Sequence, residues 1–193
     1  MRMSVLNGMV AAFVLLLFGL PIVMASTGSG TGIIGITIES TNQISVYASD
    51  NSSTINFINT TIPAAGQNFS SDTAADMKDS VTGFTVENQG NVAVTLDVSS
   101  NVTATTFIGG TASGGPKFQY WAEEPVSGNC AALQGTKLAP IDFAVTDTHV
   151  CTGTGLRYES GHDTLQTYIH LYVPSDAPPG QKSALLTFTS TSA

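Results

Sequence analysis

Three histidines, two cysteines and a scatter of carboxylates are the residues whose chemistry could carry catalysis or metal binding. His149 lies two residues from Asp147, and His162 is followed by Asp163. A metal site needs several such ligands to converge, and neither pair supplies them. His170 falls on the polar face of an alternating stretch and reads as a solvated side chain. No Gly-x-Ser-x-Gly elbow exists to expose a nucleophilic serine. Glu123 and Glu124 are adjacent, so on a strand they point to opposite faces. The glycines from Gly28 to Gly35 lack the strand-then-helix setting of a phosphate loop. The expectation from these residues is a protein that is not an enzyme, with no catalytic residues, no metal and no cofactor.

Two other sets of residues have chemistry of a different kind. Cys130 and Cys151 lack the neighbouring Cys or His of a zinc site and read as one disulfide of an exported protein. Such a bridge contributes about 3 kcal/mol by constraining the unfolded chain. Four Asn-x-Ser/Thr sequons begin at Asn51, Asn59, Asn68 and Asn101 and are candidate glycosylation sites.

The frame around them is that of an exported β protein. Of 193 residues only 10% are charged, and the formal net charge is −8. That balance, without a basic patch, argues against nucleic acid or anionic lipid as partners. Residues 1–25 have the pattern of a signal peptide: Arg2, an apolar run over 10–20, a break at Pro21 and small residues before Ser26. The rival reading is a retained membrane helix over residues 5–25, which is just long enough to span. The break at Pro21 and the cleavage pattern favour removal, leaving a secreted chain with no membrane attachment.

Short alternating segments follow, separated by turn residues. They fall at residues 42–48, 53–58, 80–87, 92–99, 103–108, 117–123, 141–146, 165–173 and 183–189. Residues 80–87 and 92–99, joined by Asn88-Gln89-Gly90-Asn91, read as a hairpin. Residues 72–78 allow a helical turn or two, capped by Ser71 or Asp72. The stretch 151–155 reads as loop. About nine strands with almost no helix imply an all-β, jelly-roll-like two-sheet sandwich. The expected organisation is a signal peptide over 1–25, a leash and N-terminal donor strand over 26–40, and a β-sandwich domain over 41–193.

The donor strand is the segment 30–39. Ile34, Ile36 and Ile38 share one face, next to Ile33, behind a Ser/Thr/Gly leash. The bland alternative is that it pairs inside its own domain as the first strand. Its place behind the leader, and the number of strands downstream, favour donation to a neighbouring copy. Burying three Ile side chains there would contribute about 5–9 kcal/mol, and a head-to-tail contact of this kind propagates into a fibre.

With these features the chain resembles the bundling pilins and thread subunits of archaea, similar to the TasA-type biofilm-matrix proteins of bacteria. The resemblance rests on the leader, the Gly35-Ile36-Thr37-Ile38 strand, the stretch from Thr85 to Val94, and the ending from Leu171 through Pro179-Gly180 to Thr189. It implies a jelly roll whose N-terminal strand, through Ile33, Ile34, Ile36 and Ile38, fills a groove in the next subunit. The expected function is an extracellular filament subunit serving adhesion, cell–cell contact or biofilm, partnered by itself head to tail and by neighbouring filaments in bundles. The second reading is a monomeric adhesin or carbohydrate-binding module, with Tyr120, Trp121, Tyr168 and Tyr172 as an aromatic platform. A type IV pilin, cut near Gly8, is a third.

Overall fold

The computed structural model describes residues 34–40, 43–58 and 60–193. The expected signal peptide, the leash, Ile33 and Asn59 lie outside them. Twelve strands are formed among the described residues: β1 (Ile34–Ser40), β2 (Ile44–Ala48), β3 (Thr54–Phe57), β4 (Gln67–Ser70), β5 (Phe84–Asn88), β6 (Val94–Ser100), β7 (Lys117–Glu123), β8 (Cys130–Leu133), β9 (Ile141–Asp142), β10 (Thr148–Leu156), β11 (Thr164–Val173) and β12 (Lys182–Ser192). One helical turn, α1 (Ala104–Phe107), and two short 3-10 turns complete the set. The protein is an all-β sandwich. No helix among the described residues is long and apolar enough to cross a membrane.

Two sheets face each other. The first runs β3-β1-β12-β6-β10-β8, and the second β2-β5-β11-β7-β9. Strand β4 pairs with β11 beyond the end of β5, so one edge of β11 carries two short partners in succession. Strict alternation builds the core. In β11, Leu165, Thr167, Ile169, Leu171 and Val173 are buried while their neighbours face outward. Val94, Leu96 and Val98 of β6 and Ala184, Leu186 and Phe188 of β12 supply the facing layer. An aromatic string, Phe107–Phe118–Phe143–Tyr120, has ring centroids 4.8, 4.4 and 5.0 Å apart. Burial pushes the Tyr120 hydroxyl up to about 12, and it donates to the His149 carbonyl at 2.8 Å.

Strand β1 does not stand apart from this body. It runs parallel to β12 on one side and antiparallel to β3 on the other. Ile36 sits opposite Ala184 and Ile55 and is fully buried. Ile34 is half-buried, and Ile38 is paired with Leu186. The donor residues within the described range therefore complete the chain's own first sheet, so the sandwich begins at Ile34 and not at residue 41. The physical reason is that β12 has only β6 on its other edge, and β1 satisfies the backbone groups that would otherwise be left open.

Other local expectations change for equally specific reasons. β5 and β6 form no hairpin, because β5 pairs with β2 and β11 while β6 pairs with β12 and β10. The link between them crosses from one sheet to the other, so their apolar faces meet across the core. Buried Asn88 holds the crossing: its Nδ2 donates to the Val92 and Leu156 carbonyls and its Oδ1 accepts from Gly90 N–H. Residues 104–107 are helical, not extended. Thr103 Oγ1 accepts from Thr106 N–H, and the turn buries Phe107 and Ile108 together. The stretch 151–155 belongs to β10, with register shifts on both sides. Residues 72–78 make only a three-residue 3-10 turn, Ala74–Asp76, whose Thr73 cap donates and accepts no side-chain capping bond.

Cys130 and Cys151 are bonded, joining β8 to β10 at the edge of the first sheet.

A polar cleft on the outer face of the second sheet

The outward face of β11 and its partners carries a connected set of polar groups. Gln119 on β7 donates through Nε2 to Asp142 Oδ1 on β9 at 2.8 Å. That bond turns Gln119 Oε1 toward His170 Nδ1, 3.1 Å away on β11, so Nδ1–H is the donor there. On its other side His170 Nε2 lies 3.2 Å from Asn68 Oδ1 of β4. Burial lowers the His170 pKa against a weaker upward pull from Asp72, and the ring is neutral at neutral pH.

Beside this chain opens a cleft of about 420 Å³, lined among others by Ser70, Asp72, Asp76, Trp121, Lys137 and His170. The turn after β4 builds its acidic wall. Asp76 Oδ2 accepts from Ser70 N–H at 2.8 Å, and Asp72 accepts from Ser70 Oγ and Thr73 Oγ1. The tip of the 134–140 connection, held by the Thr136–Ala139 bridge, brings Lys137 Nζ onto Asp72 Oδ2. Burial works to raise the Asp72 pKa, but the bonds from Lys137 and Ser70 outweigh it and leave the carboxyl below its ordinary value. Asp72 is thus ionised at neutral pH. Its side chain is 16% exposed while that of Lys137 is 62% exposed: a largely sheltered carboxylate meets an ammonium arriving from solvent.

Trp121 forms the floor. Its ring stacks on Tyr168 with centroids 5.3 Å apart and planes at 26°, and Tyr168 in turn packs over Gly83, where a side-chain carbon would come within 2.9 Å of the ring. Trp121 Nε1 is buried and has no hydrogen-bond partner among the described residues. At the end of the sandwich there is also an apolar cavity of about 210 Å³, lined among others by Ile34, Ile62, Phe69, Ile108, Val173 and Pro178.

The candidate residues read from sequence are dispersed. His149 pairs with Asp97 on the first sheet. His162 Nδ1 lies 3.1 Å from Oδ1 of buried Asn129. Glu124 is tied into its own loop, accepting from Cys130 N–H at 2.6 Å and Gly128 N–H at 3.3 Å. No group of three or more metal-ligating side chains comes together among the described residues. The aromatic platform does not form: Tyr120 is in the core, Trp121 is buried, and Tyr172 donates to the Ala65 carbonyl at 2.9 Å. Asn51, Asn68 and Asn101 are all exposed. The cleft itself was not visible in sequence, because Lys137 and Asp72 are 65 residues apart and no local motif links them.

A family model described as lysine methyltransferase matches residues 23–81. No curated protein matches the chain. The match points to an enzyme acting on lysine. It overturns the resemblance to bundling pilins and TasA-type proteins, the filament-subunit and adhesin readings, and the expectation of a protein that is not an enzyme. It covers less than a third of the chain, so it marks a similarity and not membership. The described part of the match runs from strand to strand through β1, β2, β3 and β4, with one 3-10 turn. A nucleotide-bearing methyl donor is ordinarily cradled where a glycine-rich loop leads from a strand into a helix. Among the described residues of the match no strand leads into such a helix, and they do not fit such a group.

Proposed function

We propose that this chain is an exported β-sandwich protein that recognises a lysine side chain in the cleft at Asp72. One observation carries the reading: an ammonium, that of Lys137, already sits on the Asp72 carboxylate, with Ser70 and Thr73 bonded to the same group. The cleft is therefore shaped for a primary amine. The matched family acts on the same side chain, and Ser70, Asp72 and Asp76 fall inside the matched stretch. The leader-like residues 1–25 and the Cys130–Cys151 bridge support export.

Exchange of Lys137 for an incoming lysine is energetically accessible. The Lys137 ammonium is solvent-exposed and loses little by leaving the pair. The tethered amine competes at an effective concentration on the order of millimolar, so it masks the cleft without blocking it. Once Lys137 leaves, the sheltered carboxylate favours any ammonium that can reach it.

The test is a titration of N-acetyl-lysine amide into Lys137→Met, followed through the Trp121 indole and His170 resonances. Saturable shifts are expected, weaker in the parent protein and abolished in Lys137→Met/Asp72→Asn. Shifts that survive Asp72→Asn, or a Lys137→Met protein that ignores the amine, refute the reading. Incubation with an adenosyl methyl donor and a lysine peptide, read by mass, tests whether methylation accompanies recognition.

A further inference from the structure

The apolar cavity of about 210 Å³ at the end of the sandwich is built from strand ends. Ile34 opens β1 and lies opposite Lys182, which opens β12. Val173 closes β11, and Phe69 of β4 is paired with Leu171 of the same strand. Buried Ile108 follows α1 and supplies another wall. The 174–180 connection between β11 and β12 lines one flank through Pro178. That connection is held in place. Asp176 accepts from the Thr111 and Ala112 N–H groups, each at 3.0 Å. Gly109 lies so close to Pro178 that a side-chain carbon there would come within 2.9 Å of its ring. The cavity is therefore a preformed feature of the fold.

Its size and charge select an occupant. A dry cavity of about 150 Å³ with similar apolar walls accepts benzene, whereas pockets for drug-sized ligands run to about 300–1,000 Å³. The space here suits an apolar group of about six to eight carbons. Among the described residues that line it, Lys182 is the one that carries a charge, and it enters no ion pair among the described residues. Lys182 is half-buried; a lysine so placed lays its stem along apolar surface and keeps its ammonium in water. The nearest carboxylate along the chain, Asp176, is committed to the Thr111 and Ala112 backbone. Exposed Thr61 and Ser175 add hydroxyl groups to the lining. An apolar space beside an uncommitted cation matches a molecule with an apolar tail and an anionic head.

We propose that this cavity binds a small monocarboxylate, its tail against Ile34, Phe69, Ile108 and Val173 and its carboxylate on Lys182. The proposal does not rest on the reading of the Asp72 cleft. The test is a titration of hexanoate, hexanol and hexylamine into the full chain, followed through the methyl resonances of Ile34, Ile108 and Val173. Saturable shifts are expected with hexanoate, at an affinity about two- to fivefold above that of hexanol, as suits a half-exposed charge pair. Hexylamine should bind most weakly. Lys182→Met keeps the apolar stem and should lower hexanoate to the level of hexanol. Ser175→Trp, at an exposed position, should obstruct the cavity and remove the shifts, and Asp72→Asn should leave them unchanged. Equal affinity for hexanoate and hexanol, an undiminished preference in Lys182→Met, or binding unmoved by Ser175→Trp overturns the assignment. So does a chain that unfolds cooperatively yet binds none of the three at these methyl groups.

Discussion

Thr167 is the polar residue in the buried row of β11, between Leu165 and Ile169. It is fully buried, paired across the sheet with Phe84 and Ala122, and its Oγ1 has no hydrogen-bond partner among the described residues. Thr167→Val replaces that hydroxyl by a methyl group of nearly the same shape and keeps a β-branched residue in a central strand. A buried hydroxyl without a partner costs about 1–3 kcal/mol, and the added methyl buries further apolar surface, at up to about 0.8 kcal/mol. The substitution is expected to stabilise the fold by about 1–3 kcal/mol, a large share of the roughly 5–15 kcal/mol typical of a domain. For a protein of this size each kcal/mol moves the melting temperature by about 2–4 °C. Urea unfolding is the assay: the midpoint should rise with an unchanged slope. Thr167→Ser, which keeps the hydroxyl and removes the methyl, should be less stable than the parent. A midpoint for Thr167→Val at or below that of the parent would show that the hydroxyl is bonded in the folded state, and the reasoning would fail.

Three further perturbations test the fold from other sides. Ile36→Ala should destabilise the monomer by about 2–5 kcal/mol, measured by the same unfolding assay; unchanged monomer stability would mean that β1 is not part of its own sheet. Reduction of Cys130–Cys151, which are 21 residues apart, should cost about 3 kcal/mol, seen as a lower melting temperature in reductant. His170 gives a pH dependence. Its folded pKa lies below the ordinary 6.5, chiefly through burial, so between the two values the unfolded chain binds more protons and stability rises with pH. The stabilisation is present above about 6.5 and is lost as pH falls below it; in His170→Gln the unfolding midpoint should lose that slope.

How much of this was legible in sequence depends on the distance over which each feature is decided. Alternation is local, so Lys117–Glu123 and the run through Leu165–Val173 emerge as strands with the right residues inside. The two-sheet sandwich follows from the number of such runs. Alternation says which face of a strand is buried but not which strand lies beside it. That is why alternation suggests pairing β5 with β6, neighbours in sequence with matching apolar faces, although they sit in opposite sheets. The parallel pairing of β1 with β12 joins the two ends of the described chain, and no turn residue announces it. The cleft is less legible still. Asp72 is placed by a turn read as a helix start, Lys137 by a bridge between Thr136 and Ala139, and His170 by alternation alone.

The same topology bears on what the short family match can mean. Residues 34–81 do not form a folding unit. β1 needs β12 for one of its two ladders, β2 pairs only with β5, and β4 pairs only with β11. All of those partners lie beyond residue 81, and β1 and β3 are in a different sheet from β2 and β4. A site drawn from the matched stretch alone would have strands without neighbours. The cleft at Asp72 shows the alternative, because its acidic wall comes from the matched stretch while Trp121, Lys137 and His170 come from outside it. Any chemistry on lysine must therefore belong to the whole sandwich. A fragment ending at residue 81 should neither fold nor bind N-acetyl-lysine amide, whereas residues 26–193 should do both; binding by the fragment alone would mean that the match marks a separable unit and that the cleft is not its site.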